Sequence, residues 1–154
     1  MIRFAKESDL ASVNAIRRQV HALHASGEPD IFHPGFPDAI RDHIQTIFRD
    51  PNQRIVVAEQ EGVLCGYAIL HAITKPETAF SFARNYLDID ELGIDEAFRR
   101  RGIASEMLSF IKVFAKEQGF HRLELNMWEF NDTALAFYEA AGFRTYRRYM
   151  EMKV

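Results

Sequence analysis

The sequence has a single cysteine, Cys65, among 154 residues. An internal disulfide is therefore impossible, and the composition suits a reducing compartment. Cys65 sits in an apolar stretch, where a buried structural thiol is expected rather than a nucleophile. Long hydrophobic runs are also missing: none approaches the ~18 apolar residues of a membrane span. The opening MIRFAKESDL lacks the apolar core of a secretory leader. A cytoplasmic protein with no membrane partner is expected. Nor is there an excess of basic residues. The formal net charge of −3 argues against a nucleic-acid partner held by a bulk positive field. Neither G-x-G-x-x-G nor G-x-x-x-x-G-K-[ST] occurs, which removes two common phosphate-binding loops. With no repeat, low-complexity tract or linker-like shift in composition, residues 1–154 read as one domain long enough to bury a core.

What the chain does have is concentrated in Tyr86–Ser105, YLDIDELGIDEAFRRRGIAS. Tyr86–Ile94 reads as a strand, Asp95–Arg101 as a tight turn, and a helix opens near Gly102. The first N–H groups of a helix have no intrahelical partner, and the helix dipole adds partial positive charge there. Such a start is an anion site. Gly102 and the small Ala104 let an anion approach the backbone of Ile103 and Ser105, and Arg99, Arg100 and Arg101 add full charges. A pyrophosphate is the guest this turn predicts.

Within that strand the apolar residues change parity. Leu87 and Ile89 set one face, Leu92 and Ile94 the other. A period-two strand keeps all four on one side only if an extra residue is inserted, so a β-bulge near Asp90–Glu91 is expected. The alternative is helices on both faces, which would make parity immaterial.

Elsewhere the patterns are conventional. Ile2–Ala5 reads as a strand, and Leu10, Val13, Ile16, Val20 and Leu23 mark a helix ending near His24–Gly27. The proline- and aromatic-rich stretch to Pro37 precedes a helix over Asp38–Phe48. Arg54–Glu59 and Val63–Ala72 form a hairpin. The helix after Gly102 keeps Ile103, Met107, Leu108, Ile111 and Phe114 on one face and stops at Gly119. His121–Trp128 alternates as a strand, Asn131–Ala141 forms a short helix, and Phe143–Met152 reads as the last strand. The order β-α-α-β-β-β-α-β-α-β implies an α+β fold, a mixed central sheet flanked by helices. His21 and His24 share a helical face, but no third ligand accompanies them, and no metal is expected.

Arg99-x-x-Gly102-x-Ala104 resembles the R/Q-x-x-G-x-G/A turn of the GNAT superfamily of acyl-CoA-dependent N-acyltransferases. The likeness continues from the acidic strand before it to Asn131 and to Phe137-Tyr138-Glu139-Ala140-Ala141-Gly142-Phe143 after it. The resemblance implies a parallel pair, Tyr86–Ile94 beside His121–Trp128, splayed at its C-terminal end to admit a pantetheine arm. It implies acetyl-CoA as donor, with Arg99–Ser105 on the pyrophosphate and the main chain of Leu92, Gly93 and Ile94 along the pantetheine. It also implies Asn131 on the pantetheine and Tyr138 facing the thioester sulfur. The loop bearing Phe32 and Phe36 lies where the superfamily builds its acceptor wall.

Acyl transfer needs a neutral amine. Deprotonating a lysine-like amine at pH 7 costs about 4.6 kcal/mol, an α-amine only about 1–1.4. A carboxylate beside the amine can take the proton, and Asp90 and Glu91 lie at the expected bulge, with Glu91 favoured. These residues predict an N-acetyltransferase using direct attack in a ternary complex, since no nucleophile for an acyl-enzyme is apparent. The acceptor is a primary amine of a small molecule, peptide or protein; dimers are common among similar proteins. A non-catalytic acyl-CoA sensor of the same fold is the alternative.

Overall fold

Alternation dictates a sheet covered on both faces. In β2 (Gln53–Gln60), Ile55 and Val57 oppose Val56 and Ala58, and all four are buried. In β3 (Val63–Lys75), Tyr67 and Ile69 oppose Ala68 and Leu70, again all buried. A strand buried in both parities must carry a layer on each side. The computed structural model, which describes all 154 residues, supplies those layers. With β1 (Ile2–Phe4), β4 (Arg84–Ile94) and β5 (Leu123–Leu125), the strands lie in the order β1–β2–β3–β4–β5. Every neighbouring pair is antiparallel except β4 and β5, which are parallel.

One face carries α1 (Leu10–Gly27) and α2 (Asp38–Arg49). Leu10, Val13, Ile16, Ile44 and Ile47 pack there on Ile55, Val57, Tyr67 and Ile69. The other face carries α3 (Ile103–Glu117), whose Ile103, Met107, Leu108, Ile111 and Ala115 pack on Val56, Ala68, Leu70, Leu87 and Ile89. Phe137, Tyr138 and Ala141, in or just after α4 (Asp132–Ala140), join this second core. Cys65 is fully buried within it.

The mixed sheet flanked by helices matches the sequence reading, but one expected strand is shorter and another is absent. The strand expected over His121–Trp128 contracts to Leu123–Leu125, because Trp128 and Phe130 turn away to meet Phe32 and His24. The last strand, Phe143–Met152, does not form. No backbone hydrogen bond involves a residue beyond Phe143, and residues 144–154 are all exposed. A three-residue β5 offers too little edge to template a partner. Side chains alone hold this tail: the Tyr146 hydroxyl donates to Glu124 at 2.7 Å, and Lys153 pairs with Asp30.

These differences in burial set a stability contrast. Leu70→Ala, at a fully buried position, should cost about 2–5 kcal/mol in urea unfolding. Removing Tyr149–Val154, whose one ion pair is exposed, should change stability by less than about 1 kcal/mol.

Candidate active site

The bulge sits where the parity change places it. Ile69 pairs with Glu91 and Leu70 with Ile89, so Asp90 is the extra residue with no partner on β3. One inserted residue returns Leu92 and Ile94 to the α3 face alongside Leu87 and Ile89. It also fixes the polar side: Asp88 lies opposite His71, and Glu91 opposite Ile69, both on the face covered by α1 and α2. β5 pairs only with Leu87–Ile89. Past that point the two parallel strands separate, and the edge of β4 from Asp90 to Ile94 has no strand beside it. This is the splay the resemblance implies.

The turn after β4 is held from both sides. Asp95 Oδ1 accepts from the Ala97 N–H at 2.9 Å, while Gln19 of α1 donates to Asp95 Oδ2 and accepts from the Glu96 N–H, each at 3.0 Å. Arg99 donates to the Ile94 carbonyl, and Arg101 donates to the Ala97 carbonyl and stacks on Phe98. Arg100 alone of the three makes no hydrogen bond or ion pair, and its backbone is left-handed, with φ 61°. Gly102 follows at φ +80°, a conformation that favours glycine, with open space where a Cβ would stand. None of the N–H groups from Arg100 through Ser105 donates to the protein. Six consecutive free donors at a helix start form an anion cradle.

Sequence reasoning missed the group that holds Glu91. Arg17 of α1, only 6% exposed, grips the carboxylate with two bonds, Nε to Oε2 at 3.0 Å and Nη2 to Oε1 at 2.9 Å. The buried Tyr67 hydroxyl donates to Oε2 at 2.7 Å. Burial of the phenol and the adjacent carboxylate push the Tyr67 pKa well above its ordinary value. Arg17 also donates to the Ile40 carbonyl at the start of α2. A signal was present: Arg17 interrupts the apolar stripe of Val13, Ile16 and Val20. Asp88 and Asp90, by contrast, make no hydrogen bond or ion pair. Burial, then Asp90 and Glu124, raise the Asp88 carboxyl to about 6. Burial and the charge of Glu91 raise Asp90 too.

Packing accounts for the glycine at position 93. A Cβ there would come within 2.6 Å of the Tyr67 ring and 2.7 Å of Val20, so α1 requires the glycine. Tyr138 stands on the α3 face, its ring edge-on to Phe143 at 5.6 Å. Its hydroxyl makes no hydrogen bond, and burial raises it to about 12. The structure therefore places Tyr138 on one side of β4 and the carboxylates on the other, with the bare strand edge between them. Asn131 caps α4, its Oδ1 accepting from the Ala134 N–H at 3.1 Å, which leaves its amide N–H₂ free. His21 donates to the His33 carbonyl, and His24 lies against Phe32. A hollow of about 600 Å³ at the start of β5, lined by residues such as Lys112, His121 and Arg122, includes neither Tyr138, Asn131 nor the carboxylates of β4.

Residues 17–143 match the acetyltransferase (GNAT) family, which spans the bulge, the cradle and Tyr138. The chain belongs to the GNAT family. No protein of curated function matches the sequence. A tetramutant of a Bacillus halodurans protein is similar over its whole fold, with TM-score 0.95 and 25% identity, covering 100% of this chain and 99% of that one. An aminoglycoside N-acetyltransferase, AAC(6')-Iy, solved with CoA, gives TM-score 0.78 at 17% identity, covering 100% and 93%. An aminoglycoside acetyltransferase from an uncultured soil metagenomic sample, solved with sisomicin, gives 0.69 at 21%, covering 99% and 96%. At those last two identities the likeness is one of fold. Family membership supports acetyl transfer as the general chemistry.

Asp88 yields a pH test within this GNAT fold. Its carboxyl binds a proton more tightly folded, at about 6, than unfolded, near 3.9. Its charge thus costs stability above about pH 6, a cost that fades as pH falls through 6 and is gone below about 4. Asp88→Asn should raise stability by about 1–2 kcal/mol at pH 7.5, after allowing for partial exposure. Thermal unfolding of both proteins should show that gap closing toward pH 4.

Proposed function

We propose that the chain is an acetyl-CoA-dependent N-acetyltransferase that acts on a primary amine by direct attack within a ternary complex. The observation that carries this reading is the run of six free N–H groups from Arg100 to Ser105, opening α3 in the turn that follows the bulged strand. In this reading the N–H groups of Gly102, Ile103, Ala104 and Ser105 hold the pyrophosphate, each such bond to a charged acceptor contributing about 1.5–3 kcal/mol. Arg100 is free to bind phosphate, while Arg99 and Arg101 stiffen the turn and add field. Leu92, Gly93 and Ile94 present their main chain along the bare edge to the pantetheine, and an N–H there polarises the thioester carbonyl. Asn131 contributes its free amide.

Tyr138 then acts on the leaving thiolate. With the phenol at about 12 and a thiol near 8.5, full proton transfer is uphill by about 5 kcal/mol. The phenol stabilises the thiolate by donating a hydrogen bond rather than by giving up its proton. The unpaired Asp88 and Asp90 suit an acceptor that arrives as an ammonium ion, whether a small molecule or a peptide. A single domain over residues 1–154, a cytoplasmic setting and a homodimer belong to the same reading.

Free-thiol release from acetyl-CoA across a panel of amines and peptide N-termini tests it. Turnover with one acceptor class is expected. Tyr138→Phe should lower kcat by about 10- to 100-fold and leave acetyl-CoA affinity within about twofold. Binding without turnover across the panel would favour the sensor instead. Gly102→Val, strained by its positive φ and intruding on the cradle, should weaken acetyl-CoA binding at least tenfold in calorimetry, a strain of about 1–3 kcal/mol alone being enough. Unchanged affinity would remove the phosphate assignment.

A further inference from the structure

Asp90 and Glu91 are adjacent in the chain and opposite in their bonding. Both oxygens of Glu91 are engaged by three donors from Arg17 and Tyr67, two buried residues that lie away from the bare edge of β4. Three of its roughly four lone-pair sites are thereby taken. Protonating Glu91 would also leave a buried guanidinium without its counter-charge. Asp90 is the exposed extra residue of the bulge, bonded to nothing and at the point where β5 leaves β4. We infer that Asp90 is the proton acceptor for the incoming amine, and that Glu91, locked by Arg17 and Tyr67, is a positioning residue that fixes the bulge. The assignment rests on the N-acetyltransferase reading.

The step balances as follows. One ammonium proton passes to the Asp90 carboxylate and goes on to solvent. The nitrogen lone pair forms the bond to the thioester carbonyl carbon. As the C–S bond breaks, the second proton leaves nitrogen and ends on the CoA sulfur.

The charged groups that act on Asp90 are Glu91 from β4, His71 from β3, Arg17 from α1 and His43 from α2, and Asp90 in turn acts on Asp88 of β4. From β5, Glu124 faces Asp88. Partial desolvation by the surrounding protein and the anion of Glu91 strengthen Asp90's hold on a proton, against the opposing pull of His71, Arg17 and His43. A carboxylate so adjusted is a better base near neutral pH.

The experiment is the pH profile of kcat for the parent, Asp90→Asn and Glu91→Gln on an amine that the parent acetylates. Asp90→Asn should lower kcat at least about 100-fold and abolish the acidic limb. Glu91→Gln should lose about tenfold and keep the limb, moved to lower pH because a neighbouring negative charge is gone. An acidic limb that survives Asp90→Asn, or vanishes in Glu91→Gln, overturns the assignment. Should Glu91→Gln not fold, Tyr67→Phe replaces it, since that change strips one donor from Glu91 alone. The limb then moves to higher pH if Glu91 is the base and stays in place if Asp90 is. A parent that binds acetyl-CoA but acetylates no amine refutes the enzyme reading, and the assignment with it. A limb retained by Asp90→Asn in an active enzyme refutes the assignment alone.

Discussion

One unpaired residue in β4 governs the site. Because side chains alternate along a strand, leaving Asp90 unpaired in a bulge turns everything after it to the face opposite the one a regular strand would give. Were Asp90 paired in a regular strand, Leu92 and Ile94 would leave the α3 core, and Glu91 would point away from Arg17. The same insertion coincides with the end of the β4–β5 pairing at Ile89, so the main chain beyond it is left free. The core and the Arg17–Glu91 ion pair thus follow from a single register shift, and the open edge begins at the same point.

The electrostatics follow from the geometry. Four carboxylates, Asp88, Asp90, Glu91 and Glu124, gather on β4 and its neighbour β5 in a chain whose net charge is only −3. Two of them are matched: Glu91 by Arg17, and Glu124 by Arg84 and Arg122. The two left over are the ones whose proton affinity rises. A pair such as Arg17–Glu91, its guanidinium buried and its carboxylate half-buried, is weak evidence for net stability but resists losing one partner, which suits it to fixing geometry.

Much of this was legible in the sequence. The parity change between Ile89 and Leu92 located the bulge, because a two-residue period admits few explanations. The anion cradle could be read from Gly102 and the helix pattern after it, since free N–H groups are a property of any helix start. What could not be read were relations between distant segments. Arg17 stood out on an apolar stripe, but nothing in the sequence named Glu91, 74 residues away, as its partner. The aromatic Phe143, Tyr146 and Tyr149 gave Phe143–Met152 a capacity to form a strand, and composition cannot say whether an edge waits to receive it. The need for a glycine at position 93 was hidden for the same reason: the Tyr67 ring and Val20 that exclude a side chain come from two other elements.

Helix α1 bonds the β4 segment twice, through Arg17 to Glu91 and through Gln19 to Asp95 and Glu96. Two anchors two residues apart forbid a slide, because a one-residue step turns a helix by about 100° and advances it by about 1.5 Å, breaking both. The loop from Glu28 to Pro37 hangs from the end of this pinned helix without sharing either anchor. A chain built in this way can exchange that loop for one of different shape while its anion cradle and bulge stay in register. Innovation in what is bound on that side is therefore separable from upkeep of the machinery beneath it.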